Sequence, residues 1–199
     1  MIYRKNKLII DGFNIDYLGK KYKTPIYCYS QKKITENITN LKKKFKKLDP
    51  LFCYAVKANA NLQILKELKY HDLGADVVSM GELAKALRAG IKPKKIVFSG
   101  VGKTSAEIEF AIKKNILLIN AESKNEILEI EKISKLKKKV VDIGIRLNPN
   151  TDAKTLSQIS TGKKENKFGV DQKTFLELVN YLKRSKYLNL KCLSVHIGS

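Results

Sequence analysis

The sequence predicts an α/β fold, a (β/α) barrel, on three observations. Apolar strand-like runs alternate with helical patterns along most of the chain. Strands that read as near-continuous apolar runs between helical crossovers form parallel sheets. Six such strands follow one another from "LFCYAVKA" onward, with no hairpin signal between them. Polar residues recur at their C-terminal ends: Lys57, Asp76, Ser99, Asn120, Arg146 and His196. In a barrel those ends meet on one face around the axis, where barrel active sites sit. An open doubly wound sheet is the competing architecture. No GxGxxG follows the first strand, which weakens its dinucleotide-binding version.

Each element has its own signal. The first 25 residues stand outside the alternation: residues 7–15, in "KLIIDGFNI", carry the short β run and turn residues of an extra strand outside the barrel. "KTPIYCYS" (23–30) reads as a short strand. Ile34, Ile38, Leu41, Phe45 and Leu48 then repeat at helical spacing with Lys on the other face, and Ser30 stands at the N-cap. "LFCYAVKA" is a strand and "NLQILKELKY" a helix capped by Asn61. "GADVVS" is a strand, and "MGELAKALRAG" a helix closed by Gly90. "KKIVFSG" is a strand, followed by a helix opened by Thr104 or Ser105. "ILLIN" is a strand, followed by a helix opened by Ser123. "VVDIGIRLN" is a strand, 148–170 a long polar loop, "QKTFLELVNYLKRSK" a helix and "LKCLSVHIGS" the last strand.

The bulk properties bound the class. With 199 residues and 43% hydrophobic content the chain can bury a substantial core. It has no apolar run long enough for a membrane helix and no signal-peptide core near the start, so a cytoplasmic protein is expected. Cys28, Cys53 and Cys192 are widely spaced and read as buried free thiols, with no disulfide framework or CxxC metal pair. The formal charge of +21 raises a nucleic-acid reading. It is weakened because the charge is nearly all Lys, spread in short runs such as "LKKKFKKL", while Arg is scarce. No specific nucleic acid and no membrane are expected as partners.

Lysine is normally kept out of a core strand unless paired. Lys57 at the end of one is either a residue that snorkels or pairs, or an amine whose desolvation makes it a nucleophile toward aldehydes. His196 reads as a core histidine or a site residue, Arg146 as a partner for Asp142 or Asp76 or an anion binder, and Glu82 as a first-turn helix residue or a pocket acid. His71 reads as a surface residue.

Seven segments, "YAVKANAN", "GADVVSMGELAKALRAGI", "IVFSGVGKT", "INAESKNE", "IRLNPN", "ISTGKKENKFGVD" and "VHIGS", occur in this order. Over residues 24–199 they resemble the diaminopimelate decarboxylases, pyridoxal-phosphate enzymes of the alanine-racemase-like barrel class. "STGKKENKFG" and "SGVGKT" favour that decarboxylase over its ornithine and arginine relatives. The resemblance implies that Lys57 carries pyridoxal 5'-phosphate and that His196 stacks on its ring. It implies that Ser199 lies near the phosphate, Arg146 near the ring and its phenolic oxygen, and Asp76 and Glu82 in the pocket near the lysine. The loop Lys167-Phe168-Gly169 leads into the helix before the histidine strand. Lys57 and His196 are thus the catalytic candidates, and no metal is implied. The implied reaction converts meso-2,6-diaminopimelate to L-lysine and carbon dioxide in a homodimer. The alternatives are decarboxylation of ornithine, arginine or carboxynorspermidine, or a barrel that binds the cofactor without turnover. The class implies eight strands, so an incomplete barrel over 26–199 is expected, with 1–25 belonging to a separate β-domain. The 199 residues alone are expected to be unstable, to aggregate or to be inactive, because a sheet with two strands missing leaves an unpaired edge.

Overall fold

Residues 2–151 and 168–197 are described by the computed structural model of the chain, which divides into two units, Met1–Pro50 and Leu51–Ser199. The first unit opens with three short strands where one was expected: β1 (Ile2–Arg4), β2 (Lys7–Ile10) and β3 (Phe13–Asn14), antiparallel in that order. Two-residue turns split the run. Lys5 and Asn6 have φ of 46° and 59°, and Asp11-Gly12 have 48° and 89°. Paired positive φ angles are what a tight hairpin needs, and Asp-Gly supplies them readily. Asn14 caps α1 (Ile15–Tyr22) by accepting the Asp16 N–H at 2.9 Å. Ser30 caps α2 (Gln31–Lys44) in the same way through the Lys33 N–H.

The strand expected at 23–30 does not form. The segment between α1 and α2 is irregular, and Tyr27 is 90% exposed. Its Ile, Tyr and Cys residues fit a pleated, half-buried surface, but β-propensity counts only where a neighbouring strand offers hydrogen bonds and packing.

The second unit is the expected alternation. β4 (Cys53–Ala55) is followed by a 3-10 turn over Val56–Ala58, then α3 (Leu62–Tyr70), β5 (Gly74–Val77), α4 (Met80–Arg88), β6 (Ile96–Phe98), α5 (Ser105–Lys114), β7 (Leu118–Ala121), α6 (Lys124–Leu136), β8 (Val141–Arg146), α7 (Gln172–Leu182) and β9 (Leu188–Ser194). Side chains of Asn61, Ser79, Thr104, Ser123 and Asp171 each accept a backbone N–H at a helix start, and Thr104 completes a capping box with Glu107. Gly90, at φ 89°, follows the end of α4, a conformation that suits a residue without Cβ.

The six strands form one parallel sheet in sequential order, β4 to β9, with no reversal. Register and strand alternation sort its residues onto two faces. One face presents Ala75, Val77, Ile96, Phe98, Ile119, Ala121, Ile143 and Ile145, all fully buried, as are Leu65, Leu83, Ile108, Ile127 and Ile130 of the helices. The other face carries Asp76, Asn120 and Arg146, with Ser99 just past β6. Gly144 stands beside Asn120 on this face, where a Cβ would lie 2.2 Å from Asn120 Oδ1.

The cysteines depart from expectation: Cys28 is exposed, while Cys53 and Cys192 are half-buried. All three are free, and burial pushes the Cys53 thiol up to about 11. His71 is not a plain surface residue. At the C-terminal end of α3 its Nε2 lies 3.1 Å from Glu67 Oε1 and its ring meets Tyr70 edge-on. The i,i+4 spacing brings the pair together and covers the ring.

Candidate active site

Lys57 is not held in a strand. β4 ends at Ala55, Val56 turns wholly into the core, and the 3-10 turn swings Lys57 out to an exposed position. Of the two readings of Lys57, the structure shows the side chain that reaches water, not the desolvated amine. Its ammonium makes no hydrogen bond or ion pair among the described residues. Lys103, in the loop before α5, is the opposite case. Its side chain is 1% exposed. Its Nζ donates to Gly100 O and Asn120 O at 2.7 Å each and to Glu126 Oε1 at 2.6 Å. A buried ammonium survives only when paired and hydrogen-bonded like this.

Asp76 lies on the polar face of β5, and its Oδ1 accepts the Ser99 hydroxyl at 2.6 Å. Burial pushes its carboxyl above the ordinary range. The Ser99 hydrogen bond and the charges of Lys57 and Lys103 pull it down, and Glu122 adds to the upward push. Burial holds the His196 imidazole below its usual value, helped by the positive charges of Arg146 and Lys57. His196 is thus mostly neutral at pH 7. It is exposed, in the segment that follows β9. These mutual influences put Lys57, Asp76, Lys103, Glu122, Arg146 and His196 within electrostatic reach of one another.

Arg146 closes β8. Its partner is neither Asp142 nor Asp76 but Glu122, whose Oε1 accepts from Nη1 at 3.1 Å. A longer contact, 3.5 Å, runs from Nη2 to the His196 carbonyl, and the guanidinium stands 4.7 Å from the Phe168 ring centroid. Glu122 Oε1 also accepts the Gly100 N–H at 3.0 Å. Glu122 Oε2 and Asn120 Oδ1 are buried with no donor among the described residues.

Glu82 sits in the first turn of α4. Its Oε2 accepts the Val78 N–H at 2.9 Å, and its own N–H donates to Ser79 Oγ. Ser199 and most of the loop at 148–170, including Lys167, lie outside the described residues. Four of the named candidates, Lys57, Asp76, Arg146 and His196, are thus brought to one end of the sheet. Lys103, Glu122 and Glu126 were not singled out from the sequence. Lys103 stands inside the quoted "SGVGKT" and Glu122 two residues past Asn120, but nothing local marks either as buried.

Together the end of the sheet holds an accessible amine, a carboxyl with raised proton affinity, a neutral imidazole and a tethered guanidinium. That set can capture a carbonyl compound and hold an anionic oxygen beside it.

Residues 31–199 match the family described as pyridoxal-dependent decarboxylase, pyridoxal binding domain. The chain is 51% identical over 187 residues to a diaminopimelate decarboxylase of Helicobacter pylori, covering 94% of this chain and 46% of that protein. A diaminopimelate decarboxylase of Neisseria meningitidis is 44% identical over 182 residues, covering 92% and 44%. The crystal structure of the Helicobacter pylori enzyme complexed with L-lysine superposes with a TM-score of 0.91 at 50% identity, over 94% of this chain and 47% of that one. The chain therefore spans about half the length of the curated relatives it matches.

Proposed function

The chain belongs to the pyridoxal-dependent decarboxylase family, matching its pyridoxal-binding domain, and from that premise we propose that it serves the conversion of meso-2,6-diaminopimelate to L-lysine and carbon dioxide. The observation that carries this reading is the contrast between the two lysines. Lys103 is fully engaged by three acceptors, while Lys57 is exposed and bound to no described residue. Only an unengaged amine can bond to an aldehyde.

The donor set fits pyridoxal phosphate on the same grounds. An aldehyde needs the Lys57 amine, an aromatic ring needs the neutral His196 face, and an anionic oxygen needs the Arg146 donors. We assign Lys57, Asp76, Arg146 and His196 to hold it, with Glu82 and Ser199 nearby. The cofactor supplies an electron sink for the pair released when a carboxylate departs. The protein supplies the rest. Lys57 is the anchoring amine. Asp76 holds a proton more readily than an ordinary aspartate and stands within electrostatic reach of Lys57. Uncharged, His196 would face the cofactor ring without adding positive charge to the site. Arg146, tied to Glu122, offers its remaining donors to an oxyanion.

Sequential strand order supports the barrel, since a doubly wound sheet would reverse at a switch point. In this reading residues 26–199 form the barrel portion and 1–25 belong to a separate β-domain. The two units of the structure divide later than this, between Pro50 and Leu51. The full protein is read as a cytoplasmic homodimer; among the described residues no helix is long and apolar enough to cross a membrane.

Borohydride reduction of the full-length protein with pyridoxal phosphate, followed by peptide mass analysis, tests the reading. Label on Lys57 and carbon dioxide release from meso-2,6-diaminopimelate are expected. Label elsewhere, or none, would overturn it.

A further inference from the structure

We propose that Glu122 is a positioning residue that sets the orientation of Arg146 through a buried chain of contacts starting at Lys103. The proposal rests on the pyridoxal-phosphate reading of this site. The chain has four links. Lys103, 1% exposed, donates to Glu126 Oε1. Glu126 Oε2 accepts the Glu122 backbone N–H at 2.9 Å. Gly100 N–H, from the turn that also offers its carbonyl to Lys103, fixes Glu122 Oε1 at 3.0 Å. That same oxygen then takes Arg146 Nη1 at 3.1 Å. The Glu122 side chain is 2% exposed, so it cannot swing away into water.

The contact is one-point and leaves one carboxylate oxygen over. Arginine and carboxylate usually join as a fork, with both oxygens engaged. Here Oε1 alone holds the guanidinium, and Oε2 is left buried without a donor. An unpaired buried acceptor costs free energy, so it calls for an explanation. One-point tethering leaves most of the five N–H donors of Arg146 uncommitted to Glu122. Those donors are held at a set angle for an anionic oxygen of the cofactor. Asn120 Oδ1 is a second buried acceptor without a donor, on the same strand end.

The test is a double-mutant cycle on pyridoxal phosphate binding in the full-length protein, read by the dissociation constant and by the visible absorption band of the bound cofactor. Glu122→Gln keeps the shape and the Gly100 contact but removes the charge. It is expected to weaken binding about tenfold, or about 1.4 kcal/mol, and to move the band. Arg146→Gln should do the same. Because Glu122 acts through Arg146, the double variant should bind no more than about twofold weaker than Arg146→Gln alone. Should Glu122→Gln fail to fold, Glu122→Asp carries the same cycle. Losses that multiply in the double variant, or a Glu122→Gln protein that binds and absorbs like the parent, would overturn the proposal alone. A parent chain that takes no borohydride label at Lys57 overturns the underlying reading and this inference with it.

Discussion

Lys57 makes no hydrogen bond or ion pair among the described residues and is exposed, so its removal should leave the fold alone. Lys57→Ala is expected to change stability by less than about 0.5 kcal/mol in urea denaturation, while abolishing covalent attachment of pyridoxal phosphate. A large loss of stability would show that the side chain has a structural partner. Asp76 titrates in the other direction from most native carboxylates. Burial raises its folded-state pKa above the unfolded value, against the pull of Ser99, Lys57 and Lys103. The native state therefore holds this proton more tightly. The stability it contributes is complete below about pH 4 and is lost as pH climbs through the raised value. Asp76→Asn, fixed as neutral, should gain on the parent between pH 4 and pH 7. A midpoint difference that does not vary with pH would contradict this.

At the scale of elements, side chains stitch neighbouring strand–helix units together at the candidate-site end. Glu107 of α5 accepts the Met80 N–H at the start of α4 at 2.8 Å, and Glu129 of α6 accepts the Ser105 hydroxyl at the start of α5. Backbone N–H bonds from Thr104 and Met80 hold the Glu107 carboxyl below its ordinary value. Its contribution is thus present above the unfolded pKa and fades as pH falls through the lowered one. Lys103 is the deepest of these stitches. Lys103→Met would leave Glu126, itself 10% exposed, without its cation. A loss of about 3–5 kcal/mol is expected in chemical denaturation; a loss under about 1 kcal/mol would mean that water enters and solvates Glu126. Gly144 of β8 pairs with Asn120 of β7, whose side chain fills the space a Cβ would take. Gly144→Ala should cost about 1–3 kcal/mol as Asn120 is forced aside, and a neutral effect would show that Asn120 swings away freely.

For the whole molecule the dominant quantity is charge. The 40 Lys and Arg against 19 Asp and Glu leave +21, spread over both units. Self-repulsion of that size weakens the folded state, and salt screens it over a Debye length that shrinks to about 10 Å at 0.1 M. The urea midpoint is expected to rise between about 0.01 M and 0.15 M salt, and any retention on RNA should vanish over the same range. A flat midpoint would mean that the positive charges lie too far apart to repel.

The sequence by itself determined the six-stranded alternation, because apolar runs, helical spacing and the caps at Ser30, Asn61, Thr104 and Ser123 are local signals. It also determined the placing of Asp76 and Arg146, since strand alternation decides which face a residue takes. Tertiary structure decided what local signals cannot carry. The tyrosine-rich segment at 23–30 stayed irregular because strand formation needs a partner. Lys57 left the sheet because Val56 found a core site one residue earlier. Arg146 took Glu122 because the β7 end, 24 residues away in sequence, lies beside the β8 end in space. Burial of Lys103, Glu122 and Glu126 is likewise a property of neighbours brought in by folding. The sequence names the charges, but only packing decides which of them lose their water and must therefore find one another.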